Sequence, residues 1–297
     1  MATARRATVL ALLLGCSRTR APTSPPLRDE LGRPVHVRTL PAHRVVSLAP
    51  NVTEILFALG AQETLVGVDS FSDYPPAATQ VARVGTDLEP SFEKIVALRP
   101  DVVVTATTAN PQQAAEAIER MGVPIYVTRT ETLADLEPTV LDLGVLVGRA
   151  QAAHALAARI REGVAGVRAA TARAPRVRTL LLVWSDPLFV VGKHTYTSDL
   201  LAAAGGANVA EDAGDGFPKY SLERVLRHQP EVMIVGSHKN DDPKQSPFAY
   251  WQRFPELPAV RTGRLHAVDG DLIFRPGPRV VEGARALAAI LHPELAR

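Results

Sequence analysis

The chain is poor in cysteine, in aromatic residues and in excess charge of either sign. Its 297 residues include one cysteine and 5% aromatic residues, and 33 basic residues oppose 31 acidic ones. A single cysteine excludes an internal disulfide, and the near balance of charge gives no general attraction to nucleic acid. After its first residues the chain has no apolar run long enough to cross a bilayer. An apolar fraction of 46% over this length predicts two globular domains of ordinary size.

The start of the chain differs in composition from the rest. Residues 1–15 hold two arginines, no acidic residue and a short apolar run, and they end just before Cys16. This pattern is typical of a secretory signal, and Leu-Leu-Gly-Cys resembles the lipobox of bacterial lipoproteins. We therefore expect residues 1–16 to form a lipoprotein signal with a lipidated Cys16, the alternative being an uncleaved or misassigned start. Residues 17–34, rich in Ser, Thr, Pro and Arg, predict a flexible tether.

A sixteen-residue segment occurs twice, 130 residues apart and without a gap. Residues 91–106 read SFEKIVALRPDVVVTA, and residues 221–236 read SLERVLRHQPEVMIVG. Each copy has a serine suited to cap a helix, a glutamate in the first turn, a proline after the helix and then a β-branched strand. A second pair of similar segments, near residues 53–61 and 198–206, keeps the same order. The repeat predicts two similar αβ lobes, with a ligand cleft between them.

Strands alternate with helices along the chain, which predicts mostly parallel sheets covered by helices. The predicted fold class is α/β, with two Rossmann-like lobes joined by a single long helix. We place the N-terminal lobe at residues 35–145, the connecting helix at 146–176 and the C-terminal lobe at 177–297. The connector is predicted from apolar residues that recur at helical spacing: Leu156, Ile160, Val164 and Val167. Such a helix would be stiff, so relative motion of the lobes should be small.

The motifs of common enzyme classes are missing. The chain has neither a Gly-x-Ser-x-Gly elbow nor a phosphate-binding Gly-x-x-x-x-Gly-Lys loop, and no histidine pair has zinc-site spacing backed by cysteines. His194 and His238 fall in predicted loops of the C-terminal lobe, where they could reach a metal in the cleft, but surface positions are the simpler interpretation. We predict a protein that is not an enzyme and has no metal site or cofactor of its own. A two-lobed enzyme with an unidentified cofactor is the distant alternative.

Four motifs, in order, resemble the helical-backbone metal-receptor group of substrate-binding proteins. They are residues 45–54 (VVSLAPNVTE), 66–68 (VGV), 72–75 (SDYP) and 95–103 (IVALRPDVV). These proteins serve ABC importers for vitamin B12, ferric siderophores and haem, and the cobalamin-binding branch is the most similar. The resemblance implies a lipid-anchored receptor of the periplasm or cell envelope, whose partners are a small-molecule ligand and the transmembrane subunits of an importer. It implies cobalamin or a related corrinoid as ligand, with ferric siderophore or haem as the alternative.

The resemblance also implies which residues meet the ligand. Aromatic rings suit the faces of a large flat macrocycle, and polar side chains suit its peripheral amides. Where the cobalamin-binding branch carries tryptophans, this chain has Asp87 and either Ala106 or Thr107, which reduces the aromatic lining. From the residues alone, the rings could instead be ordinary loop or core residues, and the last two residues of the set could be an ion pair within one lobe. The implied ligand-binding residues are Tyr74, Asp87, Phe189, Phe217, Asp271 and Arg275.

The repeated glutamates have a separate implied role. In the resembled group, a glutamate on each lobe contacts arginines of the two transmembrane subunits, and the matching positions here are Glu93 and Glu223. Two acids on separate lobes suit a two-fold symmetric permease. The alternatives are acids that face their helix dipoles, worth up to about 1 kcal/mol each, or a remnant of duplication.

Overall fold

The computed structural model describes residues 27–86, 88–107, 111–237 and 246–296, and in this part of the chain two sheets flank one long helix. Cys16, Asp87 and His238 lie outside the described residues. The strands are β1 (Leu27–Arg28), β2 (Pro34–Val35), β3 (Val45–Ser47), β4 (Leu65–Val68), β5 (Val102–Ala106), β6 (Ile125–Thr128), β7 (Val177–Ser185), β8 (Leu188–Val190), β9 (Gly206–Asn208), β10 (Val232–Ser237) and β11 (Leu265–Asp269). The α-helices are α1 (Pro50–Ala58), α2 (Phe92–Ala97), α3 (Pro111–Arg120), α4 (Leu136–Leu146), α5 (Ala150–Thr171), α6 (Tyr196–Ala203), α7 (Leu222–His228), α8 (Pro258–Arg261), α9 (Gly270–Phe274) and α10 (Val280–Leu291).

Strands β1 and β2 form a short hairpin at the end of the segment that was predicted to be a flexible tether. Buried Asp29 accepts a hydrogen bond of 2.9 Å from the backbone N–H of Arg33 and forms an ion pair of 2.7 Å with its guanidinium. The backbone N–H of Glu30 donates to the carbonyl of Val127 at the end of β6. The predicted tether of residues 17–34 is therefore too long at its C-terminal end, because composition alone did not reveal that this hairpin pairs with the lobe.

The two lobes have the same strand order. The N-terminal sheet runs β4-β3-β5-β6, and all three of its pairings are parallel. The C-terminal sheet runs β9-β7-β10-β11, again all parallel, and β8 adds an antiparallel strand to the last residues of β7. The predicted α/β fold with two similar lobes is thus confirmed, and the similarity extends from the repeated segment to the whole sheet. The lobe boundaries 35–145 and 177–297 stay predictions.

The repeated segments form the same helix–strand unit in each lobe, α2 with β5 and α7 with β10. Both helices end in a residue with left-handed backbone just before a proline, Arg99 with φ 46° and Gln229 with φ 48°. The capping serines differ, since Ser221 Oγ accepts the N–H of Arg224 at 3.3 Å and Ser91 makes no such bond. The repeat therefore fixes the turn as well as the helix and strand.

The connector is α5, which is shorter than predicted. The chain turns at Gly148 (φ 68°) after α4, so α5 starts inside the predicted range of 146–176 and spans 22 residues, about 33 Å. Gly163 in its middle is required by close packing, because a β-carbon there would lie 2.5 Å from Cγ2 of Val281 on α10. The predicted apolar face is buried: Leu156, Ile160, Val164 and Val167.

One apolar core runs from the N-terminal sheet through α5 into the C-terminal sheet. Val45 of β3, Leu156 of α5 and Leu181 of β7 all belong to this one cluster of buried residues. Opening the lobes widely would expose apolar surface to water, which costs about 25 cal/mol for each Å² exposed. The core therefore holds the lobes close to one relative position. Within the described ranges, no helix combines the length and the apolar character needed to span a membrane.

Candidate functional site

A cavity of about 620 Å³ lies between the lobes, next to the carboxyl ends of their central strands. Parallel sheets place loops and helix N-termini at this edge, which is where α/β folds bind ligands. In the N-terminal lobe, the start of α1 and the segment after β6 face the cavity. In the C-terminal lobe, three segments face it: the residues before α6, the residues after the short 3-10 helix Glu211–Ala213, and the end of α9. The lining residues are Pro50, Asn51, Thr130, Glu131, Val183, His194, Thr195, Tyr196, Thr197, Asp215, Gly216, Phe217, Phe274, Arg275 and Pro276.

Two phenylalanines form an aromatic wall on the C-terminal side of the cavity. The rings of Phe217 and Phe274 meet edge to face, with centroids 6.3 Å apart, and Phe217 is 48% exposed. A large apolar side chain exposed to this extent in a cleft is available to pack on a ligand. The structure therefore brings predicted Phe217 into the cavity and adds Phe274, which the sequence analysis missed.

Phe189 does not line the cavity. It lies on β8 opposite Trp184 of β7, and the ammonium of Lys219 is 5.8 Å from its ring centroid. Val183, the neighbour of Trp184 in the strand, is the residue of β7 that faces the cavity. The pairing of β7 with β8 has an irregularity between Leu182 and Trp184, and neither Phe189 nor Trp184 is among the residues that line the cavity.

An ionic cluster joins the lobes beside the cavity. Arg275, which lines the cavity, contacts Asp271 of its own lobe at 2.9 Å. It also reaches the N-terminal lobe, where it meets Asp73 at 3.0 Å and Glu54 at 3.4 Å. Arg279 donates two hydrogen bonds to Glu54, of 2.9 and 2.6 Å. We call these five residues the interlobe bridge.

Two residues of the interlobe bridge, Asp271 and Arg275, were predicted to contact the ligand. Asp271 and Arg275 form the ion pair that sequence reasoning left open, and Arg275 extends it across the cleft. Glu54, only 2% exposed at its side chain, is its buried centre. Burial alone would lower the pKa of the Arg279 guanidinium, but its hydrogen bonds and charge interaction with Glu54 outweigh burial and raise that pKa. The guanidinium of Arg279 thus stays charged and contributes an ion pair between the lobes.

Tyr74 stands at the edge of the interlobe bridge. The residue is 40% exposed, and the guanidinium of Arg279 lies 4.0 Å from the centroid of its ring. Such a cation–π contact contributes about 0.5–2 kcal/mol, depending on solvent exposure. Tyr74 therefore contacts Arg279 of the interlobe bridge and is not among the residues that line the cavity.

Three buried polar groups of the cavity walls have no hydrogen-bond partner among the described residues. They are Asn51 Nδ2, Thr130 Oγ1 and Tyr196 OH. Burial, reinforced by the charge of Glu54, raises the pKa of the Tyr196 phenol, so the hydroxyl keeps its proton. By contrast, the hydroxyl of Thr197 donates to the carbonyl of Ile273 at 2.9 Å.

The repeated glutamates are exposed on equivalent helices of the two lobes. Glu93 lies in the first turn of α2 and Glu223 in the first turn of α7. Glu223 is 81% exposed at its side chain and accepts a hydrogen bond of 3.0 Å from Arg227 one turn later. This placement suits contact with another protein but does not test it, so docking stays a prediction. In the described part of the chain, no group of three or more His, Cys, Asp or Glu could hold a metal ion.

Comparison with known proteins agrees with this fold. The model of the periplasmic binding protein family matches residues 45–272. A vitamin B12-binding protein of Vibrio parahaemolyticus serotype O3:K6 is 32% identical over 241 residues, which are 81% of this chain and 86% of the relative.

Solved structures of two kinds are similar. The periplasmic vitamin B12 binding protein of Vibrio cholerae is 28% identical, with a TM-score of 0.76 over 86% of this chain and 99% of that one. The periplasmic haem-binding protein of Roseiflexus sp. RS-1 in its apo form is 30% identical, with a TM-score of 0.77 over 86% of this chain and all of that one. These relatives are binding proteins by name, not enzymes. With the family model spanning most of both lobes, the chain belongs to the periplasmic binding protein family.

Proposed function

We propose that this chain is the substrate-binding lipoprotein of an ABC importer. It binds cobalamin or a related corrinoid in the cleft between the lobes, without chemical change, and delivers it to the permease. The aromatic wall of Phe217 and Phe274 in the interlobe cavity is the observation that carries this proposal. The cavity volume of about 620 Å³ falls within the usual range of small-molecule sites.

Charge at the cavity favours a corrinoid over haem. Glu131 and Asp215 line the cavity as acids, and the lining cation, Arg275, is already paired with three carboxylates of the interlobe bridge. An anionic ligand such as haem, with its carboxylates, would find no unpaired cation among the described lining residues, and Asp215 already holds Lys193 at 3.7 Å. The uncharged amides of a corrinoid need no cation, and they match the unpaired amide and hydroxyl groups of Asn51 and Thr130.

Calorimetry with cyanocobalamin, haemin and a ferric hydroxamate siderophore tests the ligand. We expect the purified protein to bind cyanocobalamin most tightly. If cyanocobalamin fails to bind at high micromolar concentration while another of the three binds well, the corrinoid assignment is wrong and the receptor function remains.

The anchor and the docking surface complete the proposal. Cys16 would carry lipid after removal of residues 1–15, which would hold the protein at a membrane of the cell envelope. Glu93 and Glu223 would each meet one transmembrane subunit, since equivalent helices of two similar lobes present them. Mass spectrometry of the mature N-terminus in the native host decides the first point, because an intact Met1 or an unmodified Cys16 would refute lipidation.

A further inference from the structure

His194 has a left-handed backbone conformation although it does not lie at the C-terminal end of a helix. Among the described residues other than glycine, only Arg99, His194 and Gln229 have positive φ. Arg99 and Gln229 close α2 and α7, where a left-handed residue is a common way to end a helix. His194, with φ 53°, instead precedes Thr195, the N-cap of α6. Its conformation is disfavoured for most residues and points to a functional constraint.

Hydrogen bonds on both sides of His194 hold it in this conformation. The backbone N–H of Lys193 donates to the carbonyl of Gly214 at 2.9 Å, and the N–H of Gly216 donates back to the carbonyl of Lys193 at 3.2 Å. On the other side, the hydroxyl of Thr195 caps α6. The segment before α6 is thereby fastened to the segment that carries Asp215, so His194 is fixed relative to that carboxylate.

The imidazole of His194 is oriented and accessible. Its Nδ1 lies 3.1 Å from Oδ1 of Asp215, and both residues line the interlobe cavity. In the neutral tautomer that fits this contact, Nδ1–H donates to the carboxylate and Nε2 keeps a free lone pair. Nε2 makes no hydrogen bond to the described residues, and the side chain is 71% exposed. A carboxylate that orients a histidine in this way is the usual support of a metal-ligating imidazole.

We infer that Nε2 of His194 binds the central metal of a macrocyclic ligand in the cleft. This rests on the proposed function, and the ligand class is a planar tetrapyrrole whose cobalt or iron has an exchangeable axial position. The lone pair of Nε2 forms a coordinate bond to the metal, and the axial water leaves. No electron is transferred, and the proton on Nδ1 stays in its hydrogen bond to Asp215. His194 would thus add selection for metal ions with an exchangeable axial ligand.

A second His–Asp pair provides a matched control. Nε2 of His228, at the end of α7, lies 3.0 Å from Oδ2 of Asp212. Neither residue lines the cavity. Replacing His228 with Gln removes an imidazole of the same kind without touching the cleft. His194→Asn is the variant that preserves the fold, because asparagine tolerates left-handed backbone better than most residues.

Absorbance titrations with three ligands test the inference. Aquacobalamin has an exchangeable axial water, cyanocobalamin has an axial cyanide that stays bound, and haemin supplies iron. For the unchanged protein and for His228→Gln, we expect aquacobalamin to shift its visible bands on binding. For His194→Asn and His194→Gln, we expect the shift to vanish and the affinity for aquacobalamin to fall at least tenfold. Cyanocobalamin should bind with normal affinity to His228→Gln, and its visible bands on binding should be the same with and without the imidazole of His194.

Each other outcome has a defined meaning. Suppose that aquacobalamin and haemin both bind, and that the spectrum of each bound ligand is the same with and without His194. This result would overturn the inference and leave the proposed function intact. A shift with haemin that depends on His194, together with none for aquacobalamin, would support the axial bond and assign iron as its metal. Failure of the unchanged protein to bind any of the three would overturn the proposed function and this inference together.

Discussion

Arg279 of the C-terminal lobe donates two hydrogen bonds to Glu54 of the N-terminal lobe while its guanidinium lies over the ring of Tyr74. One side chain therefore links two different segments of the opposite lobe, α1 and the loop after β4. The pair lies 225 residues apart in the chain. It ties together the two sides of the cleft next to the ligand cavity.

Removing the central acid of the interlobe bridge should destabilise the protein strongly. Glu54→Gln would leave Arg275 and Arg279 with fewer negative partners in a largely buried place. Breaking a buried ion pair in this way costs about 3–5 kcal/mol. Urea unfolding measures the change. As a control, Glu63→Gln breaks the exposed pair of Glu63 with Arg149 and should cost about 1 kcal/mol or less. Equal effects of the two variants would mean that the bridge is not a buried lock.

Ligand affinity should depend on Phe217 and not on Phe189. Phe217→Ala removes half of the aromatic wall of the cavity, so we expect it to weaken cyanocobalamin binding by about 1–3 kcal/mol. Phe189→Ala removes a ring that does not line the cavity and should leave the affinity nearly unchanged. Calorimetry compares the two variants. A larger loss for Phe189→Ala would return that residue to the ligand site where the sequence placed it.

Two threonines of the cavity wall should respond oppositely to the same substitution. Thr130 has a buried hydroxyl without a partner in the described structure, so Thr130→Val should leave the melting temperature unchanged or raise it. Thr197→Val removes a hydrogen bond and leaves the carbonyl of Ile273 unsatisfied, which costs about 1–3 kcal/mol. Thermal unfolding of the ligand-free protein measures both. A loss of stability in Thr130→Val would show that its hydroxyl has a partner.

Stability should fall as the pH rises through a window set by Glu30. Burial raises the pKa of the Glu30 carboxyl from its ordinary value of 4.5 to about 7. Between these values the folded protein holds a proton that the unfolded chain releases. The free energy of unfolding therefore decreases as pH increases from about 4.5 to 7.

Burial outweighs the hydrogen bonds that the Glu30 carboxyl accepts. The hydroxyl of Thr139 and the backbone N–H of Arg129 each donate to it at 2.7 Å and lower its pKa, but the larger effect of burial raises it. Glu30→Gln should flatten the pH dependence in urea unfolding at several pH values. An unchanged slope would place the titration elsewhere.

The docking prediction separates binding from transport. Changing both Glu93 and Glu223 to Ala should leave cyanocobalamin affinity intact, because neither residue lines the cavity. Transport should fall, and the double variant should fall most, since charge-assisted contacts are worth about 1.5–3 kcal/mol each when desolvated. Uptake with the cognate permease measures this. Glu137→Ala, an exposed acid paired with Arg161 near the connector, is the matched control and should transport normally.

The sequence predicted the fold better than the site, for a physical reason. Repeated local patterns encode helices and strands, so the unit of residues 91–106 and its copy were enough to predict two lobes. Contacts between lobes have no local pattern. Glu54 was part of a quoted motif, yet nothing adjacent in the chain shows that Arg279 would neutralise it. Phe217 was identified through the resemblance. Phe274 is the last residue of α9, and it reaches the cavity only because that helix packs beside the cavity.

The core that passes unbroken through α5 has a kinetic consequence. We expect the two lobes to keep the same separation with and without ligand, because this core joins them, so the ligand site would be fully assembled in the free protein. No fraction of the population is then held in a form that cannot bind, so affinity is not reduced by a conformational pre-equilibrium. Ligand capture should follow a single exponential whose rate rises linearly with ligand concentration. Under the proposed function, release to the permease would then need force applied at the outer surfaces of the two lobes, since the shared core resists opening.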